Sequence, residues 1–75
     1  MLVYSNQLIP GKIYCTVQDY QNNIDKCFVV IKSSGNLVHY RLIKDLNTMQ
    51  KAYLSTFKLY ELSEEEEEEV KLTYL

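Results

Sequence analysis

Glycine is scarce in this chain. Gly11 and Gly35 are its only two and stand far apart, so there is no glycine-rich strand-to-helix turn to cradle a phosphate. Histidine is scarcer. His39 is alone, and even with Cys15 and Cys27 it leaves a structural zinc site one ligand short. Neither cysteine belongs to a CxxC pair, and two are too few for a disulfide framework. The expectation is free thiols in a reducing, cytoplasmic setting. Long apolar runs are missing too: the longest is Cys27-Phe28-Val29-Val30-Ile31, far short of the roughly 20 residues a membrane-spanning helix needs. The first dozen residues lack the basic stretch and apolar core of a secretory signal. The polar loop Asp19, Asn22, Asn23 and Asp25 lacks the glycine and the terminal glutamate of an EF-hand. No membrane partner, metal or cofactor is therefore expected.

These shortages also argue against catalysis. As a general base, His39 would need an orienting carboxylate and a nearby nucleophile, and the sequence around it names neither. It reads instead as an outward-facing or edge histidine, and the chain as a non-enzyme.

What is abundant is tyrosine. There are seven, against two phenylalanines and no tryptophan. A chain of 75 residues is one domain with a single core of about a dozen side chains. Some tyrosines must fill that core. The surplus suits an interface, where a large ring with a polar tip is useful.

Charge is divided along the chain. Residues 1–60 carry seven basic groups and three acidic ones, a balance of +4. Residues 61–75 carry seven glutamates and one lysine, a balance of −6, which recovers the net −2. A split of this kind says more about partners than the net value does.

Periodicity places the elements. Residues 1–9 look extended, with Leu2, Tyr4 and Leu8 as anchors, and Pro10-Gly11 is a turn signal. Ile13, Cys15 and Val17 alternate with Lys12, Tyr14, Thr16 and Gln18, the mark of a half-buried strand. Residues 19–23 break it with turn formers. Residues 26–32 form a second strand, apolar on both faces at its centre. Ser33-Ser34-Gly35-Asn36 is a hairpin turn, and residues 37–43 alternate as a third strand. A loop centred on Gln21 sets residues whose numbers sum to 42 opposite each other, which makes Cys15 and Cys27 cross-strand neighbours. The simpler reading of both is as small buried hydrophobes.

Then the period changes. Leu46, Met49, Tyr53 and Phe57 recur at three- and four-residue steps, predicting a short helix over residues 44–54. Residues 57–61 alternate as a return strand. Ser63, followed by Glu64 to Glu69, is an N-cap with a glutamate three positions on and acids at the positive end of the helix dipole. Like-charge repulsion and the alternation of Val70, Leu72 and Tyr74 favour a strand instead; the capping signal decides for a helix.

The order predicts a mainly β fold with one or two short helices. One form is a small, bent SH3-like or OB-like barrel over residues 1–62 with an acidic, helical segment over 63–75. The other is a meander sheet with one helix packed across it.

Three functions fit this reading. The leading one is a protein-binding module, in which Tyr20, Tyr60 and Tyr74 are exposed contacts and Glu64, Glu65, Glu66, Glu67, Glu68 and Glu69 steer a protein partner, such as a nucleic-acid-binding protein. The second is a single-stranded nucleic-acid-binding barrel using Lys12, Tyr14, Lys32, Tyr40, Arg41 and Lys58, with the acidic tail shielding its basic face. The bland counterparts are solvated lysines around core tyrosines and a tail that merely confers solubility. The third is a structural subunit that self-associates through its tyrosines.

The chain is short and rich in Tyr, Lys, Asn and Ile, with the opening Gly11-Lys12-Ile13-Tyr14, the apolar strand Cys27-Phe28-Val29-Val30-Ile31 and an acidic end. In these respects it resembles the small accessory proteins of bacteriophages. The resemblance implies a host-directed binding protein, an inhibitor or adaptor, and assigns no functional residues.

Overall fold

The computed structural model describes residues 1–53 and 58–75. Six antiparallel strands form one sheet: β1 (Leu2–Tyr4), β2 (Ile13–Cys15), β3 (Cys27–Ser34), β4 (Leu37–Leu42), β5 (Asp45–Tyr53) and β6 (Lys58–Glu61). The helix α1 (Glu64–Tyr74) follows. The spatial order β1-β6-β2-β3-β4-β5 leaves β1 and β5 as edges. The mainly β expectation holds. The sheet is open, with β1 and β5 as edges, so the SH3-like or OB-like barrel gives way to the other expected form, a sheet with one helix packed on it.

Strands β2 to β5 form a meander, and β6 returns to pair with both β1 and β2. The β3–β4 hairpin turns at Gly35-Asn36, with Ser34 opposite Leu37. Gly35 has φ +60° and no residue other than glycine has positive φ among those described. A two-residue turn with glycine first at positive φ is the type II′ arrangement, whose twist matches the flanking strands. At β2 and β3 the pairs are Ile13↔Val29, Tyr14↔Phe28 and Cys15↔Cys27, each summing to 42. The two thiols are direct neighbours, as the loop arithmetic requires, and both are fully buried. Burial, then the nearby Cys15, pushes the Cys27 thiol up to about 12.

Alternation gives the sheet two apolar faces. Ile13, Cys15 and Cys27 point to the helix face, where they meet Tyr20, Ile24, Ile43, Leu62 and Val70. Tyr14, Phe28, Val30 and Val38 point to the opposite face with Val3 and Leu59. Among the described residues, Leu8 is the one buried member of this second cluster that comes from outside a strand. Tyr14, Phe28 and Tyr40 form an aromatic run there, with centroids 6.0 and 5.2 Å apart. Each large side chain so buried contributes roughly 1.5–3 kcal/mol.

The helix predicted over residues 44–54 is a correction. That segment is the edge strand β5, joined to β4 by the tight turn Ile43-Lys44, with Leu42 opposite Asp45 and Leu37 opposite Tyr53. The helical stripe would have buried Met49 and Tyr53, yet they are 42% and 82% exposed. Tertiary pairing with β4 overrides the helical spacing of this segment. Phe57, the last member of that stripe, lies outside the described residues. The return strand and the C-terminal helix are both present.

Leu62 is fully buried and Leu72 is 84% exposed. Leu62→Ala will therefore lower stability in urea by about 2–5 kcal/mol, and Leu72→Ala will leave it within about 0.5 kcal/mol.

Candidate functional site

The acidic helix is the most unusual element, and its phase is set at its first turn. Ser63 Oγ accepts from the Glu66 N–H at 3.2 Å, and the Ser63 N–H donates to Glu66 Oε1 at 2.8 Å. This capping box fixes the start, and four acids in the first turn complement the helix dipole. At 3.6 residues per turn, Glu66, Glu67, Glu69 and Val70 then share the side facing the sheet, and Glu64, Glu65 and Glu68 share the outer side.

The inward glutamates are all engaged within the chain. Glu67 is 8% exposed. Its Oε2 accepts the Ile13 N–H at 3.1 Å, and its Oε1 pairs with Lys12 Nζ at 3.3 Å. The Tyr60 hydroxyl donates to the Glu66 carboxylate, 2.9 and 3.0 Å from its two oxygens. Glu69 accepts from the Tyr20 hydroxyl at 3.3 Å and from Gln21 Nε2 at 3.0 Å. The Tyr20 and Tyr60 rings stack with centroids 6.2 Å apart and planes within 8°.

Titration follows this arrangement. The Ser63 N–H, with help from Tyr60, holds the Glu66 carboxyl below its ordinary value. The same bond to Glu66 raises the Tyr60 hydroxyl. Burial, then Glu69, raises Tyr20. Burial pushes Tyr14 up to about 12, and its hydroxyl accepts the Ile9 N–H at 2.8 Å.

Two of the three tyrosines expected as exposed contacts are placed otherwise. Tyr20 is buried, because the 3₁₀ turn Tyr20–Asn22 folds its ring under α1. Tyr60 is half-buried with its hydroxyl committed to Glu66. Tyr74 is 45% exposed, as expected. Tyr20 and Tyr74 nevertheless meet, with Glu69, Ile24 and Val70, around a groove of about 120 Å³ between the 3₁₀ turns Tyr20–Asn22 and Ile24–Lys26 and the end of α1.

The residues expected to form a nucleic-acid surface are dispersed. Tyr14 is fully buried, and Tyr40 packs against the Phe28 ring on the face away from the helix. Lys12 is taken by Glu67, and Lys58 lies 6.0 Å over the Tyr4 ring at the opposite edge of the sheet. Lys32 remains exposed on the helix face, and Arg41 lies on that face with its Nη1 donating to the Leu46 carbonyl at 2.8 Å. They stand with three residues that sequence reasoning missed: His39, Lys51 and Tyr53. His39 is paired with Lys32 on one side and Lys51 on the other. Assigning residues 44–54 to a helix hid this row. The signal that would have revealed it is the two-residue turn Ile43-Lys44 after an alternating strand.

Among the described residues no group of three or more His, Cys, Asp or Glu is arranged to hold a metal ion, and no helix is long and apolar enough to cross a membrane. Compared with family models, curated proteins and solved structures, the chain matches none.

Glu67→Ala will cost about 1–3 kcal/mol, since it leaves the buried Ile13 N–H without a partner. Glu68→Ala, on the outer side, will change stability by less than about 0.5 kcal/mol. Urea midpoints measure both. Glu66 has a folded pKa below its unfolded one, so its contribution is full above about pH 4.3 and is lost as pH falls through the lower folded value. Helical circular dichroism will therefore decline in that acid window, and Glu66→Gln will flatten the decline.

Proposed function

We propose that this chain is a non-enzymatic protein-binding module that takes a basic segment of a partner protein along its acidic helix. The observation that carries the reading is the groove where Tyr20, Tyr74 and Glu69 converge over an apolar floor of Ile24 and Val70. Its 120 Å³ is well below the roughly 300–1,000 Å³ of small-molecule sites, so it suits one side chain of a larger partner. A lysine or arginine fits the chemistry. The aliphatic stem packs on Ile24 and Val70, the cation faces the Tyr74 ring, and Glu69 supplies the carboxylate. Glu64, Glu65 and Glu68 on the outer side have no fold-holding hydrogen bond among those described, which leaves them to steer a basic partner and set its orientation.

The groove is organised before any partner arrives. The hydroxyl of Tyr20 and the amide of Gln21 hold the Glu69 carboxylate from two sides, so little side-chain freedom is left to lose on binding. The resemblance to small bacteriophage proteins supports one form of this role, a host-directed inhibitor or adaptor.

The test is calorimetric titration with a panel of lysine- and arginine-rich peptides. Tyr74→Ala will weaken the best binder by about tenfold, of the order expected for an interface aromatic. Joint replacement of Glu64, Glu65 and Glu68 by Gln will reduce both affinity and its salt dependence, while circular dichroism shows the chain still folded. Affinity that survives both changes rules out the groove and the outer carboxylates as the contact surface.

A further inference from the structure

We propose that the far end of the β3–β4–β5 sheet, on the helix face, is a second binding site, and that its ligand is single-stranded nucleic acid. Register carries the argument. Directly opposed residues of antiparallel strands point to the same face. Lys32 lies opposite His39, and His39 opposite Lys51, so three basic side chains stand in one row across three strands. With strands about 4.8 Å apart, the row spans about 10 Å. Alternation along β4 puts Arg41 on the same face, paired with Val29 of the helix-side core.

The next row outward is Ser34, Leu37 and Tyr53. Tyr53 is 82% exposed, the most solvent-exposed aromatic among the described residues. It stands about 7 Å along β5 from Lys51, two residues on and on the same side. Two lysines flanking a histidine, beside an exposed ring, are what a single strand requires: phosphates meet the ammonium groups and a base stacks on the ring.

Position favours an external ligand. The helix-face core takes its β3 members from Cys27 and Val29 and stops there. Beyond it, Lys32, Ser34, Lys51 and Tyr53 are all exposed. The three strands contribute four basic side chains and a single acid, Asp45, at the turn into β5. The chain's remaining acidity is concentrated on α1, whose inward carboxylates are already committed to Lys12, Ile13, Tyr20, Gln21, Tyr60 and Ser63. A duplex offers phosphates but no free base face for Tyr53, and an acidic peptide offers carboxylates but nothing that needs the ring.

The site shares no residue with the groove, so either can fail without the other. Fluorescence anisotropy with a labelled oligothymidylate of about 10 nucleotides, within the range one small domain covers, tests it on the full chain. The wild type will bind at low salt, with log affinity falling against log salt at a slope of about −1.4 to −2, as for two or three phosphate contacts on a single strand. Tyr53→Ala will weaken binding at least about fivefold, and Tyr53→Phe will restore it, because stacking needs the ring and not the hydroxyl. Lys32→Gln with Lys51→Gln will weaken binding and flatten the slope. Joint replacement of Glu64, Glu65 and Glu68 by Gln will not weaken it. No binding at low salt overturns the proposal. So does indifference to Tyr53→Ala, or duplex DNA or a polyglutamate peptide binding as tightly as the single strand.

Discussion

The carboxylate of Glu67 is the contact on which the rest of this structure depends. After Leu62 the chain leaves the sheet. The Leu62 N–H still reaches the Ile13 carbonyl at 3.1 Å, but the Ile13 N–H has lost the carbonyl that a longer β6 would have offered. Glu67 supplies an oxygen in its place, from one turn into the helix, and its second oxygen pairs with Lys12. A buried backbone donor without a partner is costly. The helix is thus tied to the sheet by a ladder position completed with a side chain.

That tie gives the acidic run two roles. Its inward members hold the fold: Glu66 caps the helix and receives Tyr60, Glu67 completes β2, and Glu69 fixes Tyr20. Between them Val70 is buried in the helix-face cluster. Its outward members face solvent and give the molecule its negative side. A uniformly charged run is divided by helix geometry into structure and surface. The positive side of the molecule is divided as well. Lys12 is spent on Glu67, whereas Lys32 and Lys51 stand exposed on the outer strands.

Much of the fold was legible. Alternation located β2, β3 and β4, and the loop centre at Gln21 set the β2–β3 register down to the Cys15–Cys27 pair. The Ser63–Glu66 box located the helix. What escaped was decided by tertiary contact. The three- and four-residue spacing of Leu46, Met49 and Tyr53 imitates a helix, and only pairing with β4 makes it an edge strand. The site was less legible, because composition cannot say which glutamates face inward. One signal was available. Val70 is the first apolar residue of the helix, so it must face the core, and Glu66 and Glu67 flank it at helical spacing. The burial of Tyr20 had no such signal, since it follows from a 3₁₀ turn folding back beneath α1.

The central claim is that the acidic helix is part of the fold. Urea unfolding of a chain ending at Leu62, compared with the full chain, tests it most directly. The account predicts that the shortened chain loses its cooperative transition or unfolds at a much lower midpoint, because Ile13 and the helix-face core are left open. A shortened chain that unfolds cooperatively at the full-length midpoint would contradict it, and would make the helix an appendage to a self-sufficient sheet.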